Sequence, residues 1–155
     1  MAQNGFTDDF SDGNFTVDPT WTEETSRFII NGTNQLQLDD PAGATAEAHL
    51  VTASTVINNG SWEFSVNLNF APSGSNFSRV YLVSNSSDLQ GSLQGYFVQI
   101  GGQSGSSDEV SLYKQDGIVE SKIIDGVDGT VATNPNVKIK VTKDNNINNL
   151  KSYLQ

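Results

Sequence analysis

Three aspartates and a glycine stand between phenylalanines in Phe6-Thr7-Asp8-Asp9-Phe10-Ser11-Asp12-Gly13-Asn14-Phe15. Such a cluster of hard oxygen donors, in a chain without cysteine, suits calcium better than a softer metal. A helix-loop-helix calcium loop does not fit. Aligned on Gly13, Asp8 and Asp12 take ligand positions, but Phe10 occupies a third and Pro19 stands where the closing glutamate belongs. A β-sandwich can instead combine one or two N-terminal carboxylates with backbone carbonyls and an acid from a distant strand. On that pattern Asp9 and Asp12 are the candidate ligands of a structural calcium, and the competing reading is a solvated turn.

Hydrolytic chemistry fits less well. A glycosidase needs two carboxylates facing one cleft, about 5 Å apart for retention and further for inversion. On one strand this requires acids two residues apart. Glu63 is alone among Ser65, Asn67 and Asn69, and the adjacent pairs Asp8-Asp9 and Asp39-Asp40 diverge in extended chain. His49 is the single histidine, and no Gly-x-Ser-x-Gly elbow accompanies it, so a Ser-His-Asp triad has no framework. No catalytic residue is assigned, and no enzyme is expected.

Sugar recognition asks for an aromatic ring to stack on and for amides, carboxylates or guanidinium groups to bond hydroxyls. The polar face of the run Trp62–Phe70 presents Asn67 and Asn69, and neighbouring runs add Arg79, Tyr81, Tyr96 and Gln99. These six are the candidate ligand-binding residues. Trp62, in phase with Phe64 and Val66, belongs to the core.

Strands must position these groups. Trp62-Glu63-Phe64-Ser65-Val66-Asn67-Leu68-Asn69-Phe70 alternates apolar and polar residues throughout, the period of a half-buried strand. Shorter runs at 79–83, 96–100, 110–113 and 137–141 repeat it, and 27–31, 35–38 and 49–53 are earlier candidates. Asn31-Gly32, Asn59-Gly60, Asp116-Gly117 and Asp125-Gly126 between the runs are expected to supply the positive φ of tight hairpins. Short strands joined by such turns predict an all-β antiparallel sandwich or barrel. The alternation is lost after residue 144, where a frayed strand and a short helix are both compatible.

The chain has 155 residues, a length that suits one domain over 1–155, with residues 1–5 a flexible N-terminus and 145–155 an atypical tail. A net charge of −10 disfavours nucleic acid, whose phosphates require clustered Lys and Arg, and no run approaches a membrane span. The low charged fraction and abundant Asn, Ser and Thr suit an extracellular β domain. Met1-Ala2-Gln3 resembles an initiator placed before a signal-cleaved end. The five Asn-x-Ser/Thr matches, at Asn14, Asn31, Asn59, Asn76 and Asn85, follow from this Asn and Ser bias.

Several ordered motifs carry a resemblance. They are Asp8-Asp9-Phe10-Ser11-Asp12-Gly13-Asn14-Phe15, Asp18-Pro19-Thr20-Trp21, Trp62-Glu63-Phe64, Asn69-Phe70-Ala71-Pro72-Ser73, Asn76-Phe77-Ser78-Arg79-Val80-Tyr81-Leu82-Val83 and Leu93-Gln94-Gly95-Tyr96-Phe97-Val98-Gln99-Ile100. From residue 6 to about 144 the chain resembles a module near the N-terminus of large secreted proteins of Bacteroidetes-type bacteria, of the concanavalin A-like jelly-roll kind. The resemblance implies a two-sheet β-sandwich in a secreted or cell-surface setting, and no activity that transfers residue by residue. In such modules the terminal strands pair and a calcium, when present, bridges them; here Asn145 to Gln155 replaces the closing hairpin, as in a truncated or altered module. The expectation is a monomeric, non-catalytic module binding a polysaccharide or cell-surface glycan, with a ligand-free spacer and a hydrolase whose acids converge only in the fold as alternatives.

Overall fold

The computed structural model describes residues 5–41, 47–57, 59–144 and 149–154, with backbone alone for 144 and 149–154. The flexible stretch expected over 1–5 lies, apart from Gly5, outside the described residues. The chain forms two compact units, 1–56 and 57–155. Each is described by itself.

In the first unit, β1 (Trp21–Glu23) pairs antiparallel with β4 (Leu50–Thr52), and β2 (Phe28–Ile30) with β3 (Leu36–Leu38). The acidic opening forms no strand. Asp8, Asp9 and Asp12 each accept a hydrogen bond from the backbone N–H two residues on, the turn that a short carboxylate favours. Trp21 anchors this stretch. Its ring meets Phe6 edge-on at 5.8 Å and Phe10 at 6.5 Å, and its Nε1 donates to Asp8 Oδ2 at 2.9 Å.

Residues 1–56 carry nine acids and a single cation, Arg27, so that guanidinium decides the local electrostatics. Arg27 donates to Asp40 through two nitrogens, to Glu24 at 2.8 Å and to the Glu47 carbonyl. Glu24 Oε2 in turn accepts the His49 N–H at 2.8 Å, so one cluster ties the 3-10 turn Thr25–Arg27 to the chain after β3 and before β4. The hydrogen bonds from Arg27 hold both Glu24 and Asp40 below the usual carboxylate range. A depressed folded value contributes stability that is present above the unfolded value and lost as pH falls through the folded one. The first unit should therefore loosen as pH drops below about 4. Arg27→Gln should flatten that acid limb, read from Trp21 fluorescence in a Trp62→Phe background; an unchanged limb would show that the cluster does not couple to folding.

The second unit is an antiparallel β-sandwich. One sheet has the order β11-β10-β5, from β5 (Ser61–Asn67), β10 (Asn136–Asp144) and β11 (Asn149–Leu154). The other is the meander β6 (Ser78–Ser84), β7 (Leu93–Ile100), β8 (Val110–Gly117) and β9 (Val119–Ile124). It is the two-sheet sandwich, rather than a jelly-roll connectivity, that these pairings define. Alternate residues of both sheets meet in one core: Leu82, Val98, Ile100, Val110 and Leu112 from the meander, Val137, Ile139 and Val141 from β10, with Trp62, Phe64 and Val66 of β5 beside them. Of the two readings of the tail, the strand holds for 149–154, which pairs with β10 from Asp144↔Asn149 to Ile139↔Leu154. Residues 145–148 and 155 lie outside the described ones.

Candidate functional site

The outer face of the meander gathers the most chemistry. Val98 and Ile100 of β7 point into the core, so Phe97 and Gln99 point away from it. The ladders place Tyr81 beside Phe97 and Phe97 beside Tyr113, with Arg79 beside Gln99 and Gln99 beside Ser111. Phe97 forms the floor. It is 0 % exposed although it lies on the outer side, because Tyr81 covers it at 4.9 Å, Tyr113 stacks on it at 5.1 Å and the Arg79 guanidinium lies 4.6 Å above its ring.

Arg79 reaches across this floor. From the edge strand β6 its two terminal nitrogens meet the carboxylate of Glu120, on the opposite edge strand β9, at 2.7 and 2.9 Å, while its Nε donates to Gln99 Oε1 at 3.0 Å. The side chains of Arg79 and Glu120 are 30 % and 32 % exposed, so the pair is accessible from solvent. Tyr81 donates its hydroxyl to Gln115 Oε1 at 2.7 Å, and Gln115 Nε2 donates to the Gly91 and Gly117 carbonyls.

One end of the same face holds a second ion cluster. Lys122 Nζ donates to Glu109 Oε1 and to Asp125 Oδ1, each at 2.5 Å, and Ser111 Oγ donates to the same Glu109 oxygen at 2.6 Å. Glu109 is 1 % exposed, and its Oε2 has no hydrogen-bond partner among the described residues. The hydrogen bonds to Asp125 and Glu109 push Lys122 above its ordinary value, and the bond from Lys122 chiefly holds Asp125 below the usual carboxylate range. Sharing one ammonium brings the two oxygens within about 5 Å of each other, no further apart than the carboxyl pair of a retaining glycosidase. Yet both oxygens are bound to one ammonium and Glu109 is 1 % exposed, so the two carboxyls do not flank an open cleft.

The six expected ligand residues divide into three places. Arg79, Tyr81 and Gln99 come together on the outer face of the meander. Tyr96 does not join them: it packs against the core from the other side of β7, as its odd separation from Gln99 on an unbulged β7–β8 ladder requires. It instead lines a shallow cavity of about 270 Å³ with Val83, Gln94, Lys114 and Asp116. Asn67 stands on β5 in the other sheet, and Asn69 lies just beyond that strand. The outer face of this second sheet carries Glu63, bound by Lys138 at 2.5 Å, and it faces away from the meander's outer face.

Asp9 and Asp12, the expected calcium ligands, are exposed and already accept local hydrogen bonds, from Ser11 N and from Asn14 N. Among the described residues no three His, Cys, Asp or Glu side chains converge.

Sequence reasoning missed Phe97, Tyr113, Gln115, Glu120 and Lys122. Phe97 was hidden in the continuous apolar run Tyr96-Phe97-Val98, where both faces of the strand are apolar. Glu120 and Lys122 sit two apart on one face of β9, but that strand is exposed along most of its length, so no apolar alternation marks it. Neither a protein-family model, nor a curated protein, nor a solved structure matches this chain.

Proposed function

We propose that the protein is a secreted, monomeric, non-catalytic β-sandwich module of the concanavalin A-like kind, which binds a polysaccharide or cell-surface glycan on the outer face of the meander. The observation that carries this reading is the meeting of Arg79, Tyr81 and Gln99 around the Phe97 floor, beside the half-buried ring of Tyr113. Sugar sites combine rings that cover the apolar faces of a pyranose with amides and charged groups that bond its hydroxyls, and this face offers both. The net charge of −10 argues against nucleic acid, and among the described residues no helix is long and apolar enough to cross a membrane.

Affinity electrophoresis through polysaccharide gels tests the proposal. Arg79→Ala and Tyr113→Ala should each weaken retention about tenfold, in line with hot-spot losses above 1 kcal/mol. Glu63→Ala, on the other sheet, should leave retention unchanged. Equal retention of all four proteins would remove the meander face from consideration.

A spacer role is favoured by one specific observation: the polar groups of this face already bond one another, Arg79 to Glu120 and Gln99, and Tyr81 to Gln115. Under that reading Arg79→Ala lowers the melting temperature, and no glycan retains even the unaltered protein.

A further inference from the structure

Resting on the carbohydrate-binding reading of the meander face, we propose that its ligand is an uncharged glycan, and that Glu120 is the residue that turns anionic chains away. The charges on this face are arranged in closed sets. Arg79 is spanned by both oxygens of Glu120, and Lys122 is shared between Glu109 and Asp125. Among the described residues of this face, two cations thus meet three carboxylates, and neither cation faces solvent without a carboxylate in contact.

A uronate or sulfate ester binds through a bidentate guanidinium or through an ammonium whose charge it can neutralise. Here the fork of Arg79 is filled by Glu120, so an incoming carboxylate must displace one carboxylate with another and approach two more at Glu109 and Asp125. Like charges brought together in this way oppose binding, a specificity device that works by repulsion. A neutral pyranose meets no such barrier. Its hydroxyls can donate to the outer lone pairs of Glu120 and Asp125 and accept from Arg79 N–H groups without breaking either ion set, and Tyr113 and Tyr81 supply ring edges beside them.

The full chain should be run at low ionic strength against matched neutral and anionic polysaccharides: a β-glucan and a mannan, against polygalacturonate and chondroitin sulfate. The unaltered protein should be retained by a neutral polymer and not by the polyuronate or the sulfated chain. Glu120→Gln should gain at least about tenfold in retention by polygalacturonate relative to retention by the neutral polymer, because Arg79 then presents an unbalanced fork. High salt should abolish that gain, since it arises between exposed charges.

Preference of the unaltered protein for an anionic chain would overturn the proposal while leaving the carbohydrate reading in place. So would a Glu120→Gln protein, folded by its melting curve, that gains nothing on polygalacturonate. Retention by none of the four polymers would overturn the carbohydrate reading itself, and this proposal with it.

Discussion

Replacing Ile139 by alanine should destabilise the 57–155 unit by about 2–5 kcal/mol, the range for truncating a large aliphatic side chain in a packed core. Ile139 is 0 % exposed on β10, the middle strand of its sheet, in phase with Val137 and Val141. Its side chain therefore enters the layer shared with Val98 and Leu112 of the meander. Alanine at this position leaves a cavity that two sheets held by their own ladders cannot readily close. Since whole domains are stable by only about 5–15 kcal/mol, the loss is a large share of the total. Ile118→Ala is the matched control. Ile118 is 84 % exposed at the tip of the β8–β9 hairpin, and its truncation should stay within about 0.5 kcal/mol. Urea unfolding, followed through Trp62 in a Trp21→Phe background, should show a lower midpoint for Ile139→Ala with an unchanged slope. A shift no larger than that of Ile118→Ala would mean that the sheets do not pack together at this point.

The same alternation that marks Ile139 as core made most of this sandwich legible. The runs at 79–83, 96–100, 110–113 and 137–141 all lie inside strands of the structure, at β6, β7, β8 and β10. Each has one face on the core, and burial imposes period two on the sequence only where one face is dry. β9 was not legible for the converse reason. Val119, Glu120, Ser121, Lys122 and Ile123 are all exposed, so no choice of apolar or polar residue follows from the strand's geometry there. Turn chemistry was half legible. In Asp116-Gly117 the glycine adopts φ 68° and closes a two-residue hairpin, as such a pair predicts. In Asp125-Gly126 the glycine has no positive φ. It is needed because a Cβ there would lie 2.4 Å from the Val110 carbonyl oxygen, a close approach that only the folded neighbour reveals.

The candidate site divides along the same line. Arg79 and Tyr81 were readable as outward because Val80 and Leu82 alternate with them. Parity also separates Tyr96 from Gln99, three residues apart on β7, and should have assigned them to opposite faces. What no local pattern holds is that Arg79 meets Glu120, 41 residues away, because that contact depends on the strand order β6-β7-β8-β9 and on both edge residues leaning inward.

The ion cluster at the end of that face yields the second large effect. Lys122→Met keeps the aliphatic stem but removes the ammonium, leaving the buried Glu109, among the described residues, with bonds from Ser111 and Gln103 and with the Asp125 carboxyl beside it. Breaking a buried pair by deleting one partner typically costs about 3–5 kcal/mol, because the other charge stays desolvated. Here the Lys122 side chain is 34 % exposed, so solvent already screens part of the attraction, and about 2 kcal/mol is the expected loss. Glu109→Gln added to Lys122→Met should recover most of it. The charge that needed the ammonium is then gone, and an amide of nearly the same shape can still accept from Ser111. The two urea midpoints discriminate the causes: a double variant as unstable as the single would assign the loss to the packing of the Lys122 stem rather than to the stranded carboxylate. Lys122→Met within about 0.5 kcal/mol of the unaltered protein would show that Glu109 is held by Ser111 and Gln103 without the lysine.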